Sequence, residues 1–83
     1  MKKIYESPLN GWDESAERIH IYAFENDEEY WKFSLMNHNE KCDYFEVWDE
    51  YGYMVAPGAI YHTYEFHTTK NYLIITETVA YNI

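Results

Sequence analysis

The feature that most constrains this chain is alternation with a period of two. Across Ile60–His67 and again across Tyr72–Tyr81, residue types that favour extended backbone (Tyr, Thr, Ile and Val) dominate, and successive side chains must point to opposite faces. From Arg18 to Glu25, Ile19, Ile21 and Ala23 alternate with Arg18, His20, Tyr22 and Phe24. Trp31, Phe33 and Leu35 alternate with Tyr30, Lys32 and Ser34, and Phe45 and Val47 with Tyr44, Glu46 and Trp48. The breaks are turn-forming clusters: Asn26-Asp27-Glu28, Asn37-His38-Asn39-Glu40, Glu50-Tyr51-Gly52, Ala56-Pro57-Gly58 and Thr68-Thr69-Lys70-Asn71. Strands between turns at roughly 10–15-residue spacing predict an all-β fold. The expectation is one domain over residues 1–83, built as a single antiparallel meander sheet of five to six short strands.

One segment supports a different assignment. Asn26 supplies an N-cap side chain, Glu29 stands at the capping-box position three residues on, and Asp27, Glu28 and Glu29 put negative charge in a first turn. A helix at about 27–37 would make the fold α+β. The aromatic alternation of Trp31, Phe33 and Leu35 favours the strand, since a 3.6-residue period would scatter those three side chains. Asp13, Glu14, Ala16 and Glu17 also suit a single helical turn over Trp12–Arg18, too short to organise a core.

In the all-β reading, one face carries Ile19, Ile21, Trp31, Phe33, Leu35, Phe45, Val47, Leu73, Ile75 and Val79, and is the core. The other face carries Tyr22, Phe24, Tyr30, Tyr44, Trp48, Tyr61 and Tyr72 among His20, Lys32, Glu46 and Glu65. Curling into a small barrel, pairing with a second copy, or binding a partner would each cover it. Tyr and Trp are enriched at binding hot spots because they bury large area with few rotatable bonds.

Composition narrows the function classes. The first eight residues lack the apolar stretch of a secretory signal, and no run approaches the ~18 apolar residues of a membrane span. A single cysteine, Cys42, allows no intrachain disulfide and fits a reducing, cytoplasmic setting. As a reactive thiol Cys42 has little support, because Lys41 and Asp43 offset each other. A formal charge of −9 opposes direct contact with nucleic acid or an anionic membrane.

Catalytic and metal motifs are absent from the sequence. His62 and His67 stand at an odd separation, which on a strand places them on opposite faces. No histidine spacing matches a zinc signature, and one cysteine forms no thiolate cluster. His20 with Glu46 or Glu65 is the best acid/base constellation. Gly11, Gly52 and Gly58 stand singly and form no phosphate-binding loop, while Ser7, Ser15 and Ser34 sit in no nucleophile motif. The reading is a protein without enzymatic activity, cofactor or metal. Its alternative is a small ligand-binding or catalytic barrel using the Tyr/His/Glu face, and a further one is a homodimeric structural protein.

Charge placement is the strongest functional signal. Residues 13–50 hold twelve acids against three bases, which accounts for the whole net charge of −9. Solubility alone explains part of this, though −9 exceeds the roughly 2–8 usual for a small domain. If the strand continued through Glu25, Asp27 and Glu29, those acids would lie ~6.6 Å apart on one face, a spacing comparable to successive phosphates. Carboxylates accept bidentate hydrogen bonds from arginine, and aromatic anchors supply a desolvated centre. The expected partner surface therefore comprises Glu25, Asp27, Glu28, Glu29, Tyr30, Asp43, Tyr44, Glu46, Trp48, Asp49 and Glu50. Its partner is expected to be a basic, nucleic-acid-binding protein.

In length, acidity and single-domain build, the chain resembles the small phage-encoded inhibitors of host defence, including DNA-mimic and anti-CRISPR proteins. That resemblance rests on whole-chain composition and charge placement. It implies a binder that blocks nucleic-acid loading or cleavage by a bacterial nuclease complex.

Overall fold

The computed structural model describes residues 1–11, 14–52 and 58–81. Residues 12–13, 53–57 and 82–83, among them Ala56 and Pro57 of one expected turn, lie outside the described residues. The described elements run β1 (Lys2–Glu6), β2 (Ser15–Ala23), α1 (Asp27–Leu35), α2 (His38–Phe45), β3 (Glu50–Tyr51), β4 (Ala59–Thr68) and β5 (Tyr72–Tyr81). All five strands join one antiparallel sheet in the order β1-β2-β5-β4-β3.

The expected antiparallel sheet is present and stays open without curling into a barrel, but the fold is not all-β, since two short helices join the five strands. Nor is the sheet a simple meander, because β2 pairs with β5 across the two intervening helices. The β4–β5 hairpin follows the alternating sequence closely. Its turn is closed by the Thr69 N–H donating to the Tyr72 carbonyl at 2.8 Å, with the Thr69 Oγ1 accepting from the Tyr72 N–H at 3.0 Å. Ser15–Arg18, read as part of a helical turn, belongs to β2. Near its start Gly11 adopts φ +154°, and a Cβ there would lie 2.6 Å from the Ala16 Cα, a close approach only glycine allows.

Both stretches read as strands between Tyr30 and Trp48 are replaced by helices and a connecting loop. Asn26 caps α1 by accepting the Glu29 N–H at 2.9 Å, and Asp27, Glu28 and Glu29 occupy the first turn with Lys32 in the last. Asn37 begins α2 with a reciprocal capping box: its side chain accepts the Glu40 N–H at 2.8 Å while the Glu40 carboxylate accepts the Asn37 N–H at 3.1 Å. Glu46 ends α2 in the left-handed conformation, φ 55°. The clusters around Asn26 and Asn37 are thus helix starts. Caps satisfy backbone donors in the first turn, and that local gain outweighs an alternation whose exposed members need no common face.

The core follows from which sheet face these helices cover. Cross-strand pairs place His20, Tyr22, Leu73, Ile75, Glu77, His62, Tyr64 and Phe66 on one face. Phe33, 1% exposed, packs with Leu73 and Ile75, flanked by Tyr22, Phe24, Met36, Phe45, Tyr64 and Phe66. Phe45 lies 5.1 Å from the Tyr22 ring and 6.0 Å from Phe66, and Phe33 lies 6.0 Å from Phe24. Aromatic rings therefore supply much of a core too small for many aliphatics.

Along β2 this inverts the expected assignment of faces, while Phe33, Leu73 and Ile75 occupy the core as expected. Tyr22 and Phe24 belong to the core side, together with Leu73, Ile75 and Val79, and helices rather than barrel closure or a second copy cover them. Ile19 and Ile21 pair with Thr76 and Ile74 on the opposite face, half-buried, as does the Tyr61 position with Ala80. Trp31 and Leu35, expected in the core, are 60% and 82% exposed, because the helical period turns them away from Phe33. No helix among the described residues is long and apolar enough to cross a membrane.

Candidate functional site

The expected partner-binding residues divide between two parts of the helical layer. Glu25 to Tyr30 form the approach to α1 and its first turn. Asp27 and Glu28 are exposed, with no hydrogen-bond or ion-pair partner among the described residues. Residues three, four, seven and eight apart share a helix face, so Asp27, Glu28, Trp31 and Leu35 make one outward stripe of two acids and two large apolar side chains. Sequence alternation places Trp31 and Leu35 inside. Their spacing from the capped Asn26 start is the signal that reveals them.

Glu29 differs from its neighbours. Its carboxylate lies 2.7 Å from the Met1 amino group and accepts the Glu25 N–H at 3.1 Å. The Met1 hydrogen bond holds the Glu29 carboxyl below its ordinary range, although burial opposes the shift. Glu25 also faces that amino group at 3.4 Å. Since α1 begins at Asp27, Glu25, Asp27 and Glu29 do not form the extended ladder with phosphate-like spacing. Tyr30 is half-buried, its ring packed edge-on against Phe24 and Trp31.

The second part lies at the end of α2. Tyr44 is 49% exposed and packs edge-on against buried Phe33, with the Lys32 ammonium 5.7 Å from its ring centre. Trp48, 57% exposed, donates its indole N–H to Asp43 at 3.2 Å. Glu46 is exposed at the helix end. Asp49 is committed inward: one oxygen accepts the Tyr64 N–H at 2.9 Å and the other lies 2.8 Å from His38 Nε2. Glu50 pairs with His62 in the β3–β4 ladder and is half-buried.

The Tyr/His/Glu constellation also assembles, with different acids. His20 meets neither Glu46 nor Glu65, since Glu46 ends α2 and Glu65 lies on the opposite sheet face. Instead, the His20 Nε2 lies 2.9 Å from Glu77 Oε1, while His62 Nε2 lies 2.7 Å from Glu77 Oε2. Arg18 approaches Glu77 at 3.6 Å, and His20 Nδ1 faces Glu6 at 3.2 Å. Glu77 is 8% exposed and joins three adjacent strands. Burial pushes its carboxyl upward, but the His20 and His62 hydrogen bonds and the nearby His62 and Arg18 charges outweigh this and hold it below the ordinary range. The even-odd rule separates His62 from His67 as expected, with His67 on the other face opposite Ile74.

Beside Glu77, a cleft of about 220 Å³ opens among Lys3, Tyr22, Phe45, Val47 and Tyr64. Typical small-molecule sites enclose roughly 300–1,000 Å³. Both Glu77 oxygens already face imidazoles, so the carboxylate is poorly placed to take a proton from a substrate. Cys42 is buried, and burial first, then Asp49 and Asp43, raise its thiol above the ordinary value, which disfavours a reactive thiolate. The chain matches no protein-family model, no curated protein and no solved structure.

Proposed function

We propose that this chain is a non-enzymatic protein-binding domain that presents an acidic and apolar helical surface to a basic partner. The observation carrying this reading is the outward α1 stripe, where Trp31 and Leu35 stand 60% and 82% exposed beside exposed Asp27 and Glu28. Isolated exposed apolar residues are ordinary, but a Trp and a Leu one helical turn apart form a ready anchor. Asp43, Tyr44, Glu46 and Trp48 offer the same combination at the end of α2. Carboxylates steer a cationic surface inward, and the apolar side chains are desolvated on contact.

The partner proposed is a protein whose basic face ordinarily binds nucleic acid, the class suggested by the charge. The blocking action of the small phage-encoded inhibitors is the corresponding biological role. Helix-borne carboxylates, rather than a strand ladder, would provide the contact. Glu25 and Glu29 face the Met1 amino group, Asp49 is held inward and Glu50 is half-buried in the β3–β4 ladder, leaving Asp27, Glu28, Asp43 and Glu46 as the steering acids. A small-ligand reading is less well supported by the limited cleft and the doubly engaged Glu77 carboxylate.

The test is capture from bacterial lysate on immobilised wild-type chain and on the Trp31→Ala and Leu35→Ser variants, with elution by rising salt. A partner held by the wild type, released by salt and displaced by DNA is expected. Trp31→Ala should weaken it by about 2 kcal/mol, roughly 30-fold, if the Trp is an anchor. Identical retention by all three chains would overturn the assignment of this surface.

A further inference from the structure

A second cluster of chemical groups lies on the inner side of α2. His38 and Cys42 are four residues apart and therefore share one helix face, the spacing that lets a helix offer two ligands to one ion. The left-handed residue Glu46 ends the helix, and the following segment returns Asp49 to the same place. His38 Nε2 lies 2.8 Å from Asp49 Oδ2 and 3.6 Å from Cys42 Sγ, and an imidazole nitrogen, the thiol sulfur and a carboxylate oxygen of the three residues lie within 4.8 Å of one another.

The convergence has a specific form. In a nucleophilic Cys-His-Asp relay, the thiol and carboxylate engage opposite nitrogens of the imidazole. Here both approach the same nitrogen, so the arrangement suits chelation and not a relay. Ligands around tetrahedral zinc sit about 2.0–2.3 Å from the ion, which places neighbouring donor atoms roughly 3.3–3.6 Å apart. The His38–Cys42 separation already has that value, and the His38–Asp49 pair needs to open by only about 0.5 Å.

We propose that His38 Nε2, Cys42 Sγ and Asp49 Oδ2 form a three-ligand site for a zinc-class divalent cation. The mixed set of one sulfur, one imidazole nitrogen and one carboxylate oxygen selects zinc over magnesium or calcium, which prefer oxygen alone. The supporting shell is in place: Asp49 Oδ1 accepts the Tyr64 N–H at 2.9 Å, fixing the carboxylate, while the His38 ring packs edge-on against Phe66 at 5.6 Å. Cys42 is buried and His38 is exposed, so one side of the cluster is shielded and the other admits the ion. A bound cation would tie α2 to the segment entering β3 and to β4. The site is independent of the protein-binding reading.

The test is a titration of the full, reduced chain with Co²⁺, followed by displacement with Zn²⁺. Saturation at one equivalent, a thiolate-to-cobalt charge-transfer band and tetrahedral visible absorption are expected. Cys42→Ser should abolish the charge-transfer band. His38→Gln, at an exposed position, and Asp49→Asn, which keeps an acceptor for the Tyr64 N–H, should each weaken Co²⁺ at least about tenfold. Circular dichroism checks that these two variants remain folded. Absence of a saturable thiolate band, or undiminished affinity in both folded variants, would overturn the site.

Discussion

Glu77 shows how one side chain can turn a polar row into part of a core. His20, Glu77 and His62 come from three neighbouring strands, and the carboxylate holds all three positions on the face that the helices cover. Replacing it with glutamine removes the charge facing both imidazoles and Arg18, so Glu77→Gln is expected to cost about 1–3 kcal/mol. A lower denaturant midpoint at unchanged slope would record that loss. Its pH dependence has a fixed sign. The folded carboxyl lies below its ordinary value, so its stabilisation is present above about pH 4.5, the unfolded value, and disappears as pH falls through the lower folded one. The variant should therefore lose stability less steeply than wild type over that acid range. Equal acid profiles would show that Glu77 is not the group responsible.

The helices are the elements on which the sequence reading and the structure diverge most. β4 and β5 were legible because the strand-favouring Tyr, Thr, Ile and Val of Ile60–His67 and Tyr72–Tyr81 have no helical rival, and their ends fall at the expected turns. The α1 start was equally legible in Asn26, Glu29 and the acids between them. Trp31 and Leu35 obscured it: exposed apolar residues flanking buried Phe33 mimic a strand, though their positions serve the outer surface. For α2, the capping box of Asn37 and Glu40 was present but resembled a turn cluster. The Glu77 and Asp49 contacts could not be read locally, because each joins residues whose pairing depends on strand order and helix direction. Two substitutions probe the helix ends. Asn37→Ala should lower stability by about 1 kcal/mol through loss of the cap. Glu46→Gly should raise it by roughly 0.5 kcal/mol, since relief of the left-handed conformation exceeds the added chain entropy. Thermal unfolding of both variants measures these opposite shifts, and a destabilised Glu46→Gly would contradict the strain argument.

For the whole molecule, the proposed binding assigns charge and architecture distinct roles. The sheet and its aromatic core provide a platform, and the helical layer carries exposed acids beside exposed apolar side chains. In the proposed complex, the net charge of −9 would create a field that a cationic protein feels before contact, whereas Trp31 and Leu35 would act only after desolvation. Acid neutralisation should therefore alter association more than dissociation, and loss of an anchor should do the reverse. The most direct measurement is the association rate of the captured partner across increasing salt, for wild type and the Asp27→Asn/Glu28→Gln double variant. The account predicts a wild-type rate that falls with salt, a slower variant at low salt, and convergence of the two as screening grows. Superimposed rates at low salt would contradict the claim that these helix-borne acids guide a basic partner to this surface.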